Sequence, residues 1–373
     1  MSAIFLYGTL LDAEHLSIVA GADVVAVRAE LAGFGVFHAG TDHYPRLAEA
    51  EGTIEGLLIE AGEARARLDF YEGGYGYGMR QVVVATADGP REAEVYWPGE
   101  DVPAPGAPWS LADWQTRWGV LTHHVAREAM GFYGEITASE LVARMPVLRA
   151  RAQARVLAAA EGAPRALKPA PAGTVEIVQE TTPYSGFFGV SEYKLSYPLF
   201  AGGRSPTVVR ATFLSADAVI VLPYDPVRDR VHLIEQFRMG PMARGDAYPF
   251  MVEAVAGRID PGETPEGAAQ REGREEAGLA FSELHLVSRS YPSPGAMTEY
   301  FHIYVGITDL PDDVDQLGGL ETEDEDIRTH VLPYQEFEKL LDAHAFRVGP
   351  LELAAHWLVR HRARLRGTVA DGA

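Results

Sequence analysis

The sequence predicts a mixed α/β protein: an α/β/α sandwich with a mixed sheet, preceded by a small β-barrel-like domain and a helical extension. Three observations predict this fold class. The first hundred residues alternate short apolar runs with glycine-rich turns, which is typical of strands. Residues 101–160 lose that pattern and carry apolar residues at helical spacing. From residue 174 onward strands resume, with helical segments between and after them.

Length and proline content divide the chain. A single core rarely grows past about 250–300 residues, so 373 residues favour about two domains. Pro103, Pro105 and Pro108 end the first strand-rich stretch, and the segment EGAPRALKPAPAG is typical of a semi-rigid linker. The predicted boundaries are a barrel-like domain at 1–100, a helical extension at 101–160, a linker at 161–173 and a sandwich at 174–373.

The composition excludes several partners and chemistries. The chain has 47% hydrophobic and 23% charged residues, as globular proteins do, and its net charge of −21 argues against nucleic acid or an anionic membrane as partner. The lack of cysteine excludes a disulfide framework, a thiol nucleophile and a zinc–thiolate site. The N-terminus has no signal-peptide pattern and no apolar run reaches about 18 residues, so we expect a cytoplasmic protein.

The first strand leads into a glycine turn. Ile4–Tyr7 is a predicted strand that continues into Gly8–Leu10. Backbone N–H groups in such a turn can come close to a carboxylate. Further along, the stretch LDFYEG carries Glu72. A carboxyl group partly removed from water has the raised pKa that proton transfer near neutrality requires.

These motifs resemble the γ-glutamylcyclotransferase-like (AIG2-like) family. The resemblance is carried by YGTL near the start, by LDFYEG, and by the Y-x-Y-x-M-R pattern between predicted strands at 52–60 and 81–85. It implies that a loop offers backbone amides to the substrate and that Glu72 is the acid/base on the γ-glutamyl amine. The loop residues would be Tyr7, Gly8, Thr9 and Leu10. The alternative is that Tyr7 and Tyr75 are core or rim aromatics and Glu72 is a solvated turn residue, since fold membership does not guarantee chemistry.

The helical extension is predicted to begin after Ser110, a good N-cap. Its apolar residues recur at helical spacing: Leu111, Trp114, Trp118, Leu121 and Val125. Two more helices are predicted, one from near Ser139 and one over Val147–Ala160. The tryptophans can line a ligand site, but an aromatic pair four residues apart is more often core, and the core interpretation is favoured.

The C-terminal half contains a regular series of strands and helices. Strands are predicted at Val175–Gln179, Tyr193–Phe200, Thr207–Phe213, Ala218–Leu222, Val231–Phe237, Phe250–Ala256, Leu284–Ser288, Phe301–Gly306 and Ile327–Leu332. Ala218–Leu222 and Val231–Phe237 form the best hairpin, with a polar turn around Asp225-Pro226. Helices are predicted at Tyr334–Ala343 and Leu351–Arg366.

One stretch, Gly257–Leu279, has the spacing G-x5-E-x7-R-E-U-x-E-E-x-G-U, where U is a bulky apolar residue. Thr264 as N-cap, Pro265 at the first helical position and Gly278 past the end predict a helix over 265–277. The side chains of Glu272, Glu275 and Glu276 then share one helix face. Carboxylates gathered in this way repel one another unless a cation lies among them, and hard divalent cations such as Mg²⁺ prefer oxygen ligands. The alternative is an ordinary solvated Glu/Arg helix.

This stretch resembles the box that defines the Nudix hydrolases. Flanking stretches narrow the resemblance to ADP-ribose pyrophosphatases of the bacterial type: GFFGV, LFAGGRSPTVVRATF, LPYDPVRDRVHLIEQFRMG, EAVAG, SYPSPGAMTEYF and GLETEDEDIRTHVL. The resemblance covers about 175–365. One departure is Gly273, which stands at an apolar U position and weakens a helix by about 1 kcal/mol relative to alanine.

The Nudix resemblance implies roles for individual residues. The metal ligands would be Glu272, Glu276, the main-chain carbonyl of Ala256 and, from an acidic loop, Glu325. The catalytic carboxylates would be Glu323, as base for the attacking water, and Glu275. The substrate-binding residues would be Arg210, Arg238 and Glu299. A guanidinium suits a phosphate better than an ammonium does.

The same resemblance implies the chemistry and the assembly. Mg²⁺, with Mn²⁺ as a substitute, would assist water to split a nucleoside diphosphate linked to a further group, giving AMP and ribose 5-phosphate from ADP-ribose. A homodimer formed by exchange of N-terminal strands is also implied. The acidic run Glu321–Asp326 has a simpler interpretation as a solvated loop, and which of its acids is the base stays open.

Several residues are predicted to be structural. Arg271 is expected to hold Glu263 or another box carboxylate in place, and His123, His124, His302 and His330 show no ligand spacing.

Three hypotheses remain open for the whole chain. It is an Mg²⁺-dependent ADP-ribose diphosphatase fused to a second domain, a γ-glutamyl cyclotransferase acting through Glu72, or a hydrolase whose first domain only binds a ligand or dimerises.

Overall fold

The chain divides into two structural units, Met1–Gly162 and Ala163–Ala373. The computed structural model describes residues 3–60, 62–73, 75–161, 171, 173–310, 312, 317–318 and 326–370. The predicted mixed α/β class is confirmed: both units combine strands with helices. None of the helices in these described ranges is long and apolar enough to cross a membrane.

Five strands of the first unit close into a barrel. The strands of this unit are Ala3–Leu6 (β1), Ala26–Ala39 (β2), Pro45–Glu60 (β3), Tyr77–Thr86 (β4), Gly89–Pro98 (β5) and Pro105–Pro108 (β6). They follow the order β3-β1-β5-β4-β2-β6, and the pairing of β2 with β3 closes the circle. The β1–β5 pair is parallel and the others are antiparallel. Closure leaves the barrel strands without free edges.

Helices surround this barrel. They are Ala13–Ala20 (α1), Ala64–Gly73 (α2), Leu111–Trp114 (α3), Val120–Met130 (α4) and Ala138–Ala160 (α5), with a 3-10 turn at Gly8–Leu11 and a π-helical segment at Gln115–Gly119. As predicted, Ser110 caps α3, accepting a hydrogen bond from the Asp113 N–H. α4 packs against α1 and α2, so the helical extension lies directly on the barrel domain.

Two stretches of the first unit differ from the sequence prediction. Two separate helices were expected, from near Ser139 and from Val147, but α5 is one continuous helix. A capping box of Thr137 and Glu140 starts it, and Pro146 is accommodated inside it. The stretch LDFYEG, which the sequence left between strands, forms the end of α2.

The second unit is built on a large mixed sheet. Its strands are Glu176–Ser185 (β7), Gly189–Ser196 (β8), Val208–Leu214 (β9), Ala218–Asp225 (β10), Arg230–Phe237 (β11), Phe250–Glu253 (β12), Val255–Arg258 (β13), Glu283–Ser290 (β14), Phe301–Ile307 (β15), Leu317–Gly318 (β16) and Ile327–Pro333 (β17). The large sheet runs β14-β15-β10-β11-β17-β16, with β12 on β11 and β13 on β10, while β7-β8-β9 form a separate sheet. The predicted hairpin is the β10–β11 pair.

Helices cover both faces of the large sheet. They are Met239–Arg244 (α6), Pro265–Ala277 (α7), Tyr334–Asp342 (α8) and Gly349–Ala370 (α9). Leu222 and Tyr224 of β10 face a core that includes Phe337 of α8 and Leu358 of α9. α7 packs against β10 and β13. Alternate β10 side chains point to opposite faces, so the arrangement is the α/β/α sandwich that the sequence predicts.

Candidate active site

Two carboxylates of α7 are buried against the strand before it. Only 9% of Glu272 and 3% of Glu276 are exposed. Glu276 Oε2 accepts a hydrogen bond of 2.9 Å from the Ala256 N–H of β13. The helix is fixed locally, because the Thr264 side chain accepts from the Gly267 N–H and Gly278 adopts the left-handed conformation just after the end. Local capping thus fixes the carboxylates beside the Ala256 backbone.

Gly257 lets the strand and the helix meet. A β-carbon on this residue would collide with the carboxylate of Glu272. The first glycine of the box is therefore required by space, because the buried carboxylate occupies the position of its missing side chain.

Arg271 connects the carboxylates of the box. Its Nε and Nη2 donate to the two oxygens of Glu263, each at 3.0 Å. Its Nη1 donates to Glu272 at 2.6 Å and to Glu275 at 2.9 Å, and its Nη2 also donates to the Arg258 carbonyl at 2.8 Å. Burial opposes the charge of Arg271, but its hydrogen bond to Glu263 and the charge of Glu272 raise its pKa. One guanidinium therefore orients three acidic side chains, as the sequence predicted for Glu263.

A second set of charged groups lies close together in the same unit. Arg238 forms an ion pair of 2.8 Å with Glu253, whose pKa is raised by burial although Arg238 opposes the shift. Glu299 accepts a hydrogen bond of 3.2 Å from the Ser215 hydroxyl. Burial raises the pKa of Glu299, while the Ser215 hydrogen bond and the charges of Arg258 and Arg238 lower it. The charges of Arg238 and Arg258 thus both act on the Glu299 carboxylate.

Arg258 and Arg210 have different surroundings. The Arg258 guanidinium lies over the ring of Phe187, 4.3 Å from its centre, in the turn between β7 and β8. Arg210, on β9, is exposed and donates to the neighbouring Val209 carbonyl. Within the described part of the chain, no ion pair connects Arg210 to the other predicted substrate residues.

The first unit contains a cavity between the predicted loop and Glu72. It is lined by Tyr7, Thr9, Leu10 and Glu72, and the volume open to the centres of water-sized molecules is about 40 Å³. Gly8 has a φ of +65°, and a β-carbon there would collide with the ring of Pro45. The turn therefore needs a glycine for both conformation and space.

Glu72 stands at the end of α2 among tyrosine rings. Burial raises its pKa to about 8. Tyr7 donates a hydrogen bond to the Tyr96 carbonyl at 2.9 Å, and Tyr77 donates to the Pro45 carbonyl at 2.6 Å. These hydroxyl hydrogens are therefore directed away from Glu72. Glu72 lies within α2 and is only partly exposed, unlike the solvated turn residue of the alternative interpretation.

Comparison with known proteins agrees with this division. Residues 214–352 match the NUDIX domain family, and residues 4–116 match the family described as gamma-glutamyl cyclotransferase, AIG2-like. The chain is 36% identical over 192 residues to an ADP-ribose pyrophosphatase of Escherichia coli strain K12, spanning 52% of this chain and 91% of that protein.

The chain belongs to the Nudix family. A second ADP-ribose pyrophosphatase, from Haemophilus influenzae, is 33% identical over 194 residues, which are 52% of this chain and 89% of that protein. A GDP-mannose pyrophosphatase of Cronobacter sakazakii is 31% identical over 159 residues, 42% of this chain and 78% of that protein. The protein is thus a Nudix hydrolase with an AIG2-like domain before it, as the sequence predicted.

Some of the predicted catalytic and metal-binding residues lie together at the Nudix box, and others do not. Glu272, Glu276 and the Ala256 backbone meet between α7 and β13, with Glu275 held beside them by Arg271. Glu323 and Glu325 lie outside the described residues. Gly273 departs from the Nudix pattern for a steric reason, because a β-carbon there would collide with the ring of Phe281.

Sequence reasoning missed several residues of both sites. In the Nudix unit these are Arg258, the second residue of the box, and Glu253, the first residue of EAVAG, whose contacts depend on the fold. In the AIG2-like unit they are His15 and Thr122, which line the cavity with Glu72. Trp114 is buried, as the core interpretation predicted, and also faces the cavity. Three of the four histidines predicted to be structural have acidic partners: His123 contacts Asp12 and Glu14, His302 contacts Asp217, and His330 contacts Glu235.

Proposed function

We propose that the Nudix unit is a divalent-cation-dependent diphosphatase that hydrolyses ADP-ribose to AMP and ribose 5-phosphate. The observation that carries the proposal is the buried carboxylate pair Glu272–Glu276 against the Ala256 backbone. The choice of ADP-ribose as substrate rests on the two relatives named ADP-ribose pyrophosphatase, each matched over about nine-tenths of its length.

The residues between α7 and β13 fit a hard divalent cation. The oxygen donors would be the carboxylates of Glu272 and Glu276 and the Ala256 carbonyl, which are the ligand types that Mg²⁺ and Mn²⁺ accept. Within the described residues no group of three or more acidic or histidine side chains is placed to hold a metal ion; in our proposal Glu325 supplies the third carboxylate. A bound cation would neutralise charge on the phosphoryl oxygens and lower the pKa of an attacking water.

The other charged residues would bind and orient the substrate. We assign the diphosphate to Arg238 and Arg210, and the ribose hydroxyls to Glu299, whose burial next to Ser215 leaves a polar acceptor in place. Arg271 is a positioning residue, because it touches Glu272 and Glu275 and would not touch substrate. The oxygen of the attacking water ends on one phosphate, the anhydride oxygen leaves with the other, and the water proton goes to a carboxylate, for which Glu323 is the candidate.

The test is product analysis with the purified full chain, Mg²⁺ and a panel of ADP-ribose, GDP-mannose, NADH, ADP-glucose and diadenosine polyphosphates. AMP and ribose 5-phosphate formed fastest from ADP-ribose, and lost in Glu276→Gln, would support the proposal. Glu336→Gln is the matched control, since Glu336 is an exposed glutamate of α8 in the same unit. Faster turnover of GDP-mannose would overturn the choice of substrate but not the diphosphatase class.

A second candidate function belongs to the AIG2-like unit, where Glu72 with a pKa of about 8 lines the cavity beside the Tyr7–Leu10 loop. A γ-glutamyl cyclotransferase would let the substrate's own α-amine attack its γ-carbonyl, which releases 5-oxoproline and the free amine without consuming water. Glu72 would take the proton from the attacking amine and return it to the leaving amine.

The test of this candidate is release of 5-oxoproline from γ-glutamyl amides. Release that disappears in Glu72→Gln and persists in Glu51→Gln would support it, because Glu51 is an exposed residue of β3 in the same unit. No release from any γ-glutamyl amide would leave the unit as a binding or dimerisation module.

We further propose a cytoplasmic homodimer with no nucleic acid partner. The net charge of −21 disfavours phosphate polymers, and the lack of cysteine suits a reducing compartment. The small sheet exposes apolar side chains that a second copy would cover: Ile177, Val178, Tyr184, Phe187, Val209 and Phe213.

A further inference from the structure

A second group of polar side chains lines the cavity that contains Glu72. The group consists of His15, Trp114 and Thr122. All three are buried: their exposed fractions are 0%, 2% and 7%. The His15 ring lies edge-on to that of Trp114, with the ring centres 5.8 Å apart.

The polar atoms of this group have no partner among the described residues. They are both ring nitrogens of His15, Nε1 of Trp114 and Oγ1 of Thr122. Buried polar atoms are nearly always hydrogen-bonded, because leaving one without a partner costs free energy. Four such atoms around one cavity therefore point to something that binds there.

The group forms where the helical extension meets the AIG2-like domain. His15 lies on α1, whereas Trp114 ends α3 and Thr122 lies on α4. The match to the AIG2-like family ends at residue 116, so Thr122 and the rest of α4 lie beyond it. The extension therefore adds polar groups to a cavity whose loop and glutamate belong to the family.

The chemistry of the group selects its ligand. The Trp114 indole can only donate, the Thr122 hydroxyl can donate or accept, and a neutral imidazole does one of each. His15 is neutral at pH 7, because burial lowers its pKa to about 3. Asp12, the acidic group whose charge acts on His15, is engaged by His123, and Glu72 in the same cavity is mostly protonated at pH 7, because burial raises its pKa to about 8. An ion would thus be buried without a countercharge, which is costly, whereas a neutral carbonyl oxygen would accept from the indole at no such cost.

The size of the cavity agrees with a small group. It offers about 40 Å³ to the centres of water-sized molecules. One water needs about 10–15 Å³ by this measure, so there is room for a few heavy atoms.

We propose that His15, Trp114 and Thr122 form a recognition subsite for an uncharged carboxamide of a small ligand. The amide oxygen accepts from the Trp114 indole and the Thr122 hydroxyl, and the amide N–H₂ donates to the bare nitrogen of His15. This subsite needs only the cavity and does not depend on turnover at Glu72, so it can be tested whether or not the cyclotransferase reaction occurs.

The test uses three small probes of nearly equal shape: propionamide, propionate and propylammonium. The full-length protein is labelled with ¹⁵N-tryptophan, and the five indole N–H signals are followed by NMR. Trp114→Phe identifies the Trp114 signal. We expect propionamide to shift this signal saturably, and the two ions to bind at least about tenfold more weakly. No shift with the amide, or equal shifts with all three probes, would overturn the proposal.

A variant separates a ligand subsite from a structural one. Thr122→Val keeps the shape and removes the hydroxyl, so the amide should bind about fivefold more weakly while the melting temperature stays the same or rises. Thr53→Val, at an exposed position of β3, is the control and should bind as the wild type does. A lower melting temperature in Thr122→Val would mean that the hydroxyl already has a partner, such as ordered water, in the free protein, and would overturn the proposal.

Discussion

The carboxylate of Glu272 occupies the space that a side chain on Gly257 would need. Gly257→Ala should therefore displace Glu272 and lower kcat for diphosphate hydrolysis by about 10²-fold, since small misplacements of catalytic groups cost this much. The loss of folding stability should be small, because the colliding atoms are the end of a flexible side chain and the backbone of Gly257 is not left-handed. Parallel kinetics and urea unfolding would check this.

Gly349→Ala is the control for this substitution. A β-carbon there meets no atom within 4 Å, and the backbone is not left-handed, so activity should not change. Wild-type activity in Gly257→Ala would show that the position of Glu272 does not limit the reaction.

Arg271→Lys should impair the Nudix unit although it conserves charge. A lysine ammonium cannot reproduce the planar fork that reaches Glu263, Glu272, Glu275 and the Arg258 carbonyl together. We expect a loss of about 1–3 kcal/mol in the free energy of unfolding and at least about tenfold in kcat. Urea titration followed by circular dichroism measures the first, and steady-state kinetics the second. Arg274→Lys, on the exposed side of the same helix, should behave as wild type.

Chelation should abolish diphosphate hydrolysis and leave any 5-oxoproline release intact. The reason is that the proposed cation ligands, which include Glu272 and Glu276, belong to the Nudix unit, whereas the cyclotransferase step uses Glu72 and the Tyr7–Leu10 loop of the other unit and needs no cation. Both activities are measured in one preparation with and without EDTA, and Mg²⁺ or Mn²⁺ is then added back. Hydrolysis that survives complete removal of divalent cations would contradict the proposed mechanism.

The sequence predicted α7 to the residue, because its signals are local. Thr264, Pro265 and Gly278 act on backbone atoms within one turn of themselves, so spacing alone fixes the helix. The resemblance to known families also pointed to Tyr7, Thr9, Leu10 and Glu72, which the structure brings to one cavity. The polar group of the cavity could not be predicted, since His15 and Thr122 are separated by more than 100 residues and no spacing rule connects them. The partners of Arg238 and Arg258 depend likewise on how distant strands meet.

The proposed homodimer can be tested through the small sheet of the Nudix unit. Ile177 of β7 is 58% exposed and apolar, and a lysine there would place a charge in the interface. Ile177→Lys should convert a particle of twice 40.5 kDa into one of 40.5 kDa in light scattering. Gln335→Lys introduces the same side chain at an exposed position of α8 and should remain dimeric. A wild-type mass equal to one chain would contradict the dimer directly.

Glu72 makes the stability of the AIG2-like unit depend on pH. Its pKa is about 8 in the folded protein against 4.5 for a free side chain. The folded state therefore binds the Glu72 proton more tightly than the unfolded state does. The stability that Glu72 contributes is fully present below pH 4.5 and is lost as pH rises through 8. Glu72→Gln cannot ionise, and it should unfold like wild type near pH 4.5 but be more stable by roughly 2–4 kcal/mol at pH 9. Tryptophan fluorescence can follow this, since four of the five tryptophans, Trp97, Trp109, Trp114 and Trp118, lie in this unit. His15 and His43 also titrate on unfolding, because burial lowers their pKa values to about 3. They do so in both proteins, so their effect cancels when the unfolding free energy of Glu72→Gln is compared with that of the wild type. If the difference in unfolding free energy does not grow between pH 4.5 and pH 9, Glu72 is ionised in the folded protein. It would then lack the raised pKa that proton exchange with the substrate amine requires.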